Sequence, residues 1–497
     1  MQNKRFYAYA VAFVFIIALA LRLYFAFQTD DFELDSYFSY RQVDSIRSSF
    51  IPTYFDSLSY SGRINIFPPF YYYVLSFFSL FTGTFFALKV LPNIFACSLV
   101  VIIYLTVFEL TKKRDIALFS SVVSAFIPLF FAKTVNSVSI LSFTIPLIFY
   151  LIYCFLRIKE KRFLYQFLVI SFILSLTSAI SFLFVFALII YLLLIKLEFS
   201  QQNRSELEVI LFTTFMTIWV NILMYKKAFL FHSHALVWQN IPSQIIASYF
   251  REVNILESIT NVGLIPILFG IYAIYRYMFK ERDKRTYLLM AFALSVALLL
   301  WFRLITLDTG LMFLGVILIP LLGQALGLLF SYIDKSRISS YSWAFWIVLA
   351  ILFFLTSVLP SIATAAESVK VAVSQSEIDA LSWLGSNTPE DSVVLSTIDE
   401  GNLISAVAKR KNVADNGFIL IHYSDVVFDD VKQMYISFLK TDAVELMNKY
   451  DVNYVYFSPR AVAEFNITEL KYAEKDCFEL VYDREVKIYR SMCEVRV

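Results

Sequence analysis

The sequence predicts a polytopic α-helical membrane protein of about eleven spans followed by a soluble α/β domain, and three observations carry that prediction. Of 497 residues, 59% are hydrophobic and only 16% are charged, against roughly 25% charged in soluble domains. So few charges cannot cover a globular surface, so most of the chain must use lipid as its solvent. The long apolar runs stop after Pro360, and the charge balance reverses there. Residues 1–365 carry 28 Lys+Arg against 18 Asp+Glu (net +10), and residues 366–497 carry 14 against 22 (net −8). The same composition excludes other classes. A net charge of +2 gives no electrostatic footprint for nucleic acid. Four cysteines do not make a disulfide scaffold, and 11 glycines with 12 prolines are too few for a disordered or fibrous chain.

Taking about 20 apolar residues per crossing, the spans fall at 6–28, 85–110, 116–134, 139–156, 163–179, 180–197, 207–225, 260–279, 286–302, 310–332 and 341–361. The stretch 163–197 reads either as one tilted helix or as two short spans joined by a turn at Ser178 to Ser181. The aromatic run 67–83 is marginal in length and is assigned to the interface. The first helix is expected to stay uncleaved, because its apolar run is long and Arg22 to Gln28 offers no small-residue cleavage site.

Basic residues orient these spans. With Lys4 and Arg5 cytoplasmic, alternate connections are also basic: 112–114, 157–162, 196–204, 276–285 and 335–337. These segments hold 18 Lys+Arg, and the opposite side holds 10. An odd number of spans then puts the C-terminal domain, residues 366–497, on the extracytoplasmic face of a plasma membrane or an internal one.

Two long loops share that face. Residues 29–84 hold six acids, Asp30, Asp31, Glu33, Asp35, Asp44 and Asp56. Residues 226–259 begin with Lys226-Lys227, which break the basic-inside pattern and suit an outer-leaflet phosphate site. This second loop, with Trp238 and Phe250, is too apolar for disorder. Its His232 and His234, spaced i, i+2, would face the same way in extended chain and offer metal ligands. The helices themselves are nearly free of ionisable groups, which disfavours a transporter path and favours chemistry at the outer boundary.

In the C-terminal domain, Ser376 with Asp379 marks a helix start. SVVLST (392–397) and NYVYFS (453–458) read as strands, a Gly401 turn leads into a helical run from Leu403, and FELVYDREVKIYRS reads as a hairpin. Cys477 and Cys493 are symmetric about Glu485, so the hairpin would set them opposite each other, and on an oxidising face they pair if the bond geometry is met. Asn466-Ile467-Thr468 is a glycosylation sequon.

Several motifs now line up. Leu34-Asp35-Ser36-Tyr37 sets an acid beside an aromatic in the first loop, and TVNSVSIL (134–141) precedes a helix in the next outer segment. Asn254-Ile255-Leu256-Glu257 closes the later loop, Arg303 sits at the end of a late helix, and VVLSTIDEGNLISAVAKRKNVADNG (393–417) follows a strand. In this arrangement the chain resembles the catalytic subunit of oligosaccharyltransferases, membrane glycosyltransferases of the GT-C class. That family transfers a glycan from a lipid-linked (pyro)phosphate to protein asparagine.

The resemblance implies roles residue by residue. Asp35 would be the metal ligand of the first loop, and Glu257 the acid that touches acceptor and metal region. Arg303 would contact donor phosphate, although it could also pair with Asp308. The family's second acidic motif falls on Ser137 and Ser139, where both acids are missing. Its Trp-Trp-Asp-Tyr-Gly signature, which grips the acceptor's Ser/Thr, falls on Thr397-Ile398-Asp399-Glu400-Gly401. Asp399 and Gly401 remain, and both tryptophans are gone. The implied cofactor is Mg²⁺ or Mn²⁺, held by Asp35 with Glu257, His232 or His234. An alternative is a metal-free acidic pair among Asp30, Asp31 and Glu33. The implied partners are membrane lipid, a polyprenyl-linked sugar donor and a protein acceptor, with no nucleic acid. Two further readings stand beside this one: a GT-C transferase with a lipid or glycan acceptor, and a non-catalytic paralogue that binds glycolipid.

Overall fold

The computed structural model describes residues 2–198, 204–233, 241–250, 252–281, 283–337, 339–474 and 476–493. His234 and Trp238 lie outside them. Six helices are long and apolar enough to cross a membrane: Arg5–Ala26, Thr84–Thr111, Arg204–His232, Lys284–Trp301, Leu307–Asp334 and the long helical run Ser339–Asn387. Two bent pairs raise the number to eight. Arg114–Ala125 and Pro128–Val135 meet at 50°, and Ile255–Val262 and Leu264–Glu281 meet at 95°. This is the architecture of an integral membrane protein.

Each predicted span coincides with a helix or a bent pair, and six to eight of these are by themselves long and apolar enough to cross, against the eleven expected. Leu141–Leu156, Lys161–Thr177 and Ser181–Leu197 have 16, 17 and 17 residues, at the short end of the length that spans a hydrocarbon core of ~30 Å. The 163–197 stretch breaks at Ser178, which is extended at φ −159°. The aromatic run becomes a 13-residue helix, Phe70–Thr82, started by Pro69 and ended by Gly83 at φ 84°. The 95° bend sits at Gly263, whose φ of 98° is costly for any other residue. A Cβ there would also meet Ser357 Oγ at 2.8 Å.

Two expectations need correction. The loop expected from residue 226 begins later, because helix Arg204–His232 runs through Lys226 and Lys227. Lysine is a good helix former, and its long stem lets the charge reach a polar boundary from inside a helix. Nor are the apolar helices free of functional charge. Arg22 and Lys89 are both buried. Arg22 bonds Asn93 at 3.0 Å and Thr134, and Lys89 Nζ donates to the carbonyls of Ala26, Thr29 and Asp31 and to Asn136 Oδ1 at 2.6–3.1 Å. A buried ammonium is tolerable only with such a full set of acceptors.

Among the described residues, seven strands form two sheets. β1 (Phe55–Asp56) and β2 (Arg63–Ile64) make a small antiparallel hairpin. The second sheet is assembled from β3 (Val393–Leu395), β4 (Lys411–Asn412), β5 (Val452–Phe457), β6 (Phe478–Asp483) and β7 (Lys487–Ser491), in the order β4-β3-β5-β7-β6. β4, β3 and β5 are parallel, and β7 and β6 add an antiparallel hairpin. The helix before this sheet starts two residues earlier than expected. Ser374 is the cap and exchanges hydrogen bonds with Glu377, because Glu reaches back to the cap amide where Asp379 is too distant. In the β6–β7 hairpin the register slips between Leu480 and Tyr482. Met492 N therefore bonds Cys477 O at 2.9 Å, and Cys493 lies one residue further along. The two cysteines are joined in a disulfide with Cα atoms 5.0 Å apart.

One sheet face packs on Phe428, Val431, Met434 and Tyr435 from helix Ser424–Ile436. The other face shares a core with residues 29–83: Phe32, Tyr37, Val43, Ile46, Tyr71 and Tyr72 cluster with Leu381, Leu403, Tyr456 and Ile488. The composition divides near residue 365, but this core runs across that division.

Candidate functional site

Lys89 gathers three carbonyls of the chain leaving the first helix, so the segment Thr29–Asp35 is held against the helix ends. Asn136 reinforces it by donating to Asp31 O and Thr29 Oγ1, both at 3.2 Å. Asp35 occupies the cap position of helix Ser36–Ser49 but makes no side-chain cap bond. Its carboxylate is turned outward, where Asn416 Nδ2 donates to Oδ1 at 3.2 Å. Glu33, two residues earlier, is half-buried. Burial pushes its pKa up to about 7, with Asp35 adding repulsion and Lys133 opposing the shift. Lys133 itself pairs with Asp308 at 3.2 Å.

Asp399 arrives from the far end of the sequence, on the turn after β3. Thr397 Oγ1 bonds Glu400 Oε2 at 2.8 Å and closes that turn. Gly401 follows because chain 414–415 passes so close that a Cβ would meet Ala414 O at 2.1 Å. Although Asp399 is partly exposed, surrounding protein raises its pKa. Asp35 repels it further, and hydrogen bonding to Asn416 works the other way. Asn416 thus stands between the two carboxylates.

A buried clamp fixes Asn416. Arg63 on β2 donates through Nη2 to Asp415 Oδ1 at 2.9 Å, through Nη1 to Gly417 O at 2.6 Å, and through Nε to Ser59. Ser59 donates to Asp415 Oδ2 at 2.5 Å, and Asn412 N donates to Leu58 O at 2.7 Å. The β1–β2 hairpin is thereby locked to β4 and the chain between it and helix Ser424–Ile436.

Beside the lock lies a half-open cavity of about 260 Å³, lined by Asp35, Phe38, Arg63, Asn65, Phe67, Asn402, Asn416 and several aliphatic side chains. A second cavity of about 560 Å³ shares Arg63, Ile64 and Leu420 with it and continues to Lys227, Leu230, Phe231 and His422.

The structure thus brings some expected residues together and leaves others apart. Asp35 and Asp399 meet, and Lys227 lines the adjoining cavity. Lys226 is exposed on the same helix. Glu257 lies in the first turn of helix Ile255–Val262, where Asn254 accepts hydrogen bonds from Leu256 N and Glu257 N. Arg303 is exposed with φ 54°, and its expected alternative partner Asp308 bonds Lys133 instead. His232 ends its helix with its ring against Phe231. Ser137 and Ser139 flank Val138, which is docked on the Asp35 helix by Ser36 Oγ and Ser39 Oγ at 3.0 and 3.3 Å. The second motif therefore has its place but carries hydroxyls where acids are needed. Asn416, Arg63, Asp415 and Asn402 were assigned no role from sequence.

Among the described residues no three of His, Cys, Asp or Glu converge. A divalent cation here would rest on Asp35 and Asp399, with water and substrate phosphate completing its shell.

The fold is shared with solved structures of other proteins. The particular likenesses are to two kinds of solved structure. The Archaeoglobus fulgidus oligosaccharyltransferase tethered to an NVT-sequon peptide superposes with a TM-score of 0.70 at 14% identity, over 90% of this chain and 69% of that one. The same enzyme, AglB, with an inhibitory peptide and a dolichol-phosphate matches equally, over 91% and 69%. ArnT from Cupriavidus metallidurans bound to undecaprenyl phosphate has a TM-score of 0.58 at 13% identity, over 96% and 97%. A further A. fulgidus structure holds Zn and sulfate. No family model and no curated protein sequence matches the chain.

Proposed function

We propose that the protein is a membrane glycosyltransferase that moves a sugar from a polyprenyl-linked phosphate donor to an acceptor hydroxyl on the extracytoplasmic face. The observation that carries this reading is Asp35, bonded by Asn416 and close enough to Asp399 to raise its pKa, in a cavity that shares lining residues with a second one. The larger cavity, mostly apolar with Lys227 in its lining, suits the start of a lipid chain and its phosphate. The acceptor oxygen attacks the anomeric carbon, the bond from that carbon to the phosphate oxygen breaks, and its electron pair leaves on the phosphate. The hydroxyl proton passes to the Asp35 carboxylate as general base and from there to solvent. Lys227 faces the departing phosphate charge.

An asparagine acceptor, as in the oligosaccharyltransferases, is the less favoured version. The two positions that carry tryptophan in that family are Thr397 and Ile398 here, and both are buried, at 1% and 7% exposure. They offer nothing to grip a sequon. Supplying the purified full-length protein in lipid nanodiscs with polyprenyl-phosphate-linked sugars tests the reading. Release of polyprenyl phosphate that depends on added acceptor supports it. Glycolipid binding without any turnover supports the non-catalytic paralogue instead.

A further inference from the structure

We infer that the cavity beside Asp35 is the acceptor site and that it takes one pyranose ring of a glycan or glycolipid, not a peptide; this rests on the transferase reading. The first ground is an unmet hydrogen bond. Asn402 is 5% exposed, and its Oδ1 has no partner among the described residues although the side chain lines the cavity. A buried acceptor left unpaired is destabilising, and native proteins rarely leave one without a ligand or water to fill it. A hydroxyl donor supplies what Oδ1 lacks.

The rest of the lining has the same chemistry. Asp35 accepts hydrogen bonds, and the Asn65 and Asn416 carboxamides both donate and accept. Adjacent sugar hydroxyls, each donor and acceptor, match such a mixed set better than a single amide does. On the apolar side, the rings of Phe38 and Phe67 meet edge to face at 5.4 Å, and Phe67 is stacked on Tyr54 at 5.8 Å. That wall is fixed by neighbours and suits the C–H face of a pyranose. Size agrees as well: about 260 Å³ is just below the roughly 300–1,000 Å³ of pockets that hold drug-sized ligands, which leaves room for one ring. A sugar seated there presents a hydroxyl to Asp35. The donor in the adjoining cavity is then reached across the shared wall of Arg63, Ile64 and Leu420.

Saturation-transfer NMR on the full-length protein in nanodiscs, without donor, tests this. The probes are methyl α-mannoside, methyl β-glucoside, methyl β-N-acetylglucosaminide and a hexapeptide containing Asn-Ala-Thr. Wild type should transfer saturation to at least one glycoside and not to the peptide. Asn402→Leu should weaken that glycoside about five- to tenfold, the loss of roughly one hydrogen bond, while polyprenyl phosphate binding is unchanged. Asn416→Ala serves as the second variant if Asn402→Leu lowers the unfolding temperature. No glycoside signal, a signal indifferent to both substitutions, or saturation of the peptide alone would overturn the assignment. If donor turnover still requires Asp35 in that event, only the acceptor site falls. If glycosides bind but donor is never turned over, the transferase reading falls instead.

Discussion

Asn416 donates a hydrogen bond to Asp35 across 3.2 Å of space and 381 positions of sequence, and with it the two ends of the chain meet at one site. The Asn416 carboxamide also opposes the rise in the pKa of Asp399, so one uncharged group acts on both carboxylates. Asn416→Ala should therefore lower kcat about tenfold, the value of one hydrogen bond to a charged group, with a smaller change in KM. Steady-state kinetics separate the two. An unchanged kcat would show that the bridge does not organise the site.

The Arg63–Asp415 pair is buried at 7% and 0% side-chain exposure. Arg63→Ala leaves the Asp415 carboxylate uncompensated, at a cost of about 3–5 kcal/mol, and should appear as loss of cooperative unfolding of the β1–β2 hairpin together with the β4 region. Replacing both residues by apolar ones should recover much of that loss. Hydrogen exchange reads both variants. Protection that stays at the wild-type level in Arg63→Ala would refute the clamp.

Glu400 is fully buried, and burial pushes its pKa up to about 7 from an ordinary 4.5, with Glu377 repelling it and Ser458 and Thr397 hydrogen bonds opposing. The folded state thus holds a proton that the unfolded state releases from pH 4.5 upward. Stability from this group is complete below about pH 4.5 and falls as pH rises through 7, by on the order of 3 kcal/mol. Glu400→Gln should flatten the decline between pH 5 and 8 in thermal unfolding. A slope identical to wild type would contradict it.

The Cys477–Cys493 disulfide closes a loop with a sequence separation of 16. Replacing both cysteines with serine should cost about 3 kcal/mol. Chemical denaturation with and without reductant measures this, and reduction should not further destabilise the double variant. Sensitivity to reductant in the double variant would point to a different bond.

Much of this was legible in sequence. Apolar run length marked the helices, alternation and turn residues marked β3, β5 and the hairpin, and Asp35 and Asp399 stood out as acids in distinctive settings. Asn416, Asn402 and Arg63 did not stand out, because carboxamides and a lone arginine carry no periodic signal; their importance comes from contacts made across hundreds of residues. Lys226 and Lys227 misled as loop markers, since a lysine pair at a membrane boundary is compatible with an unbroken helix. Arg22 and Lys89 were hidden inside apolar runs. Only the folded chain shows the carbonyls and amides that make their burial tolerable.

The account rests on Asp35 as the group that takes the acceptor's proton. Single-turnover transfer from a polyprenyl-phosphate-linked sugar, followed in wild type and in Asp35→Asn at matched unfolding temperature, tests that directly. The account predicts a rate about 10²–10⁴-fold lower in the variant with donor binding preserved, and a variant that transfers at the wild-type rate would contradict it.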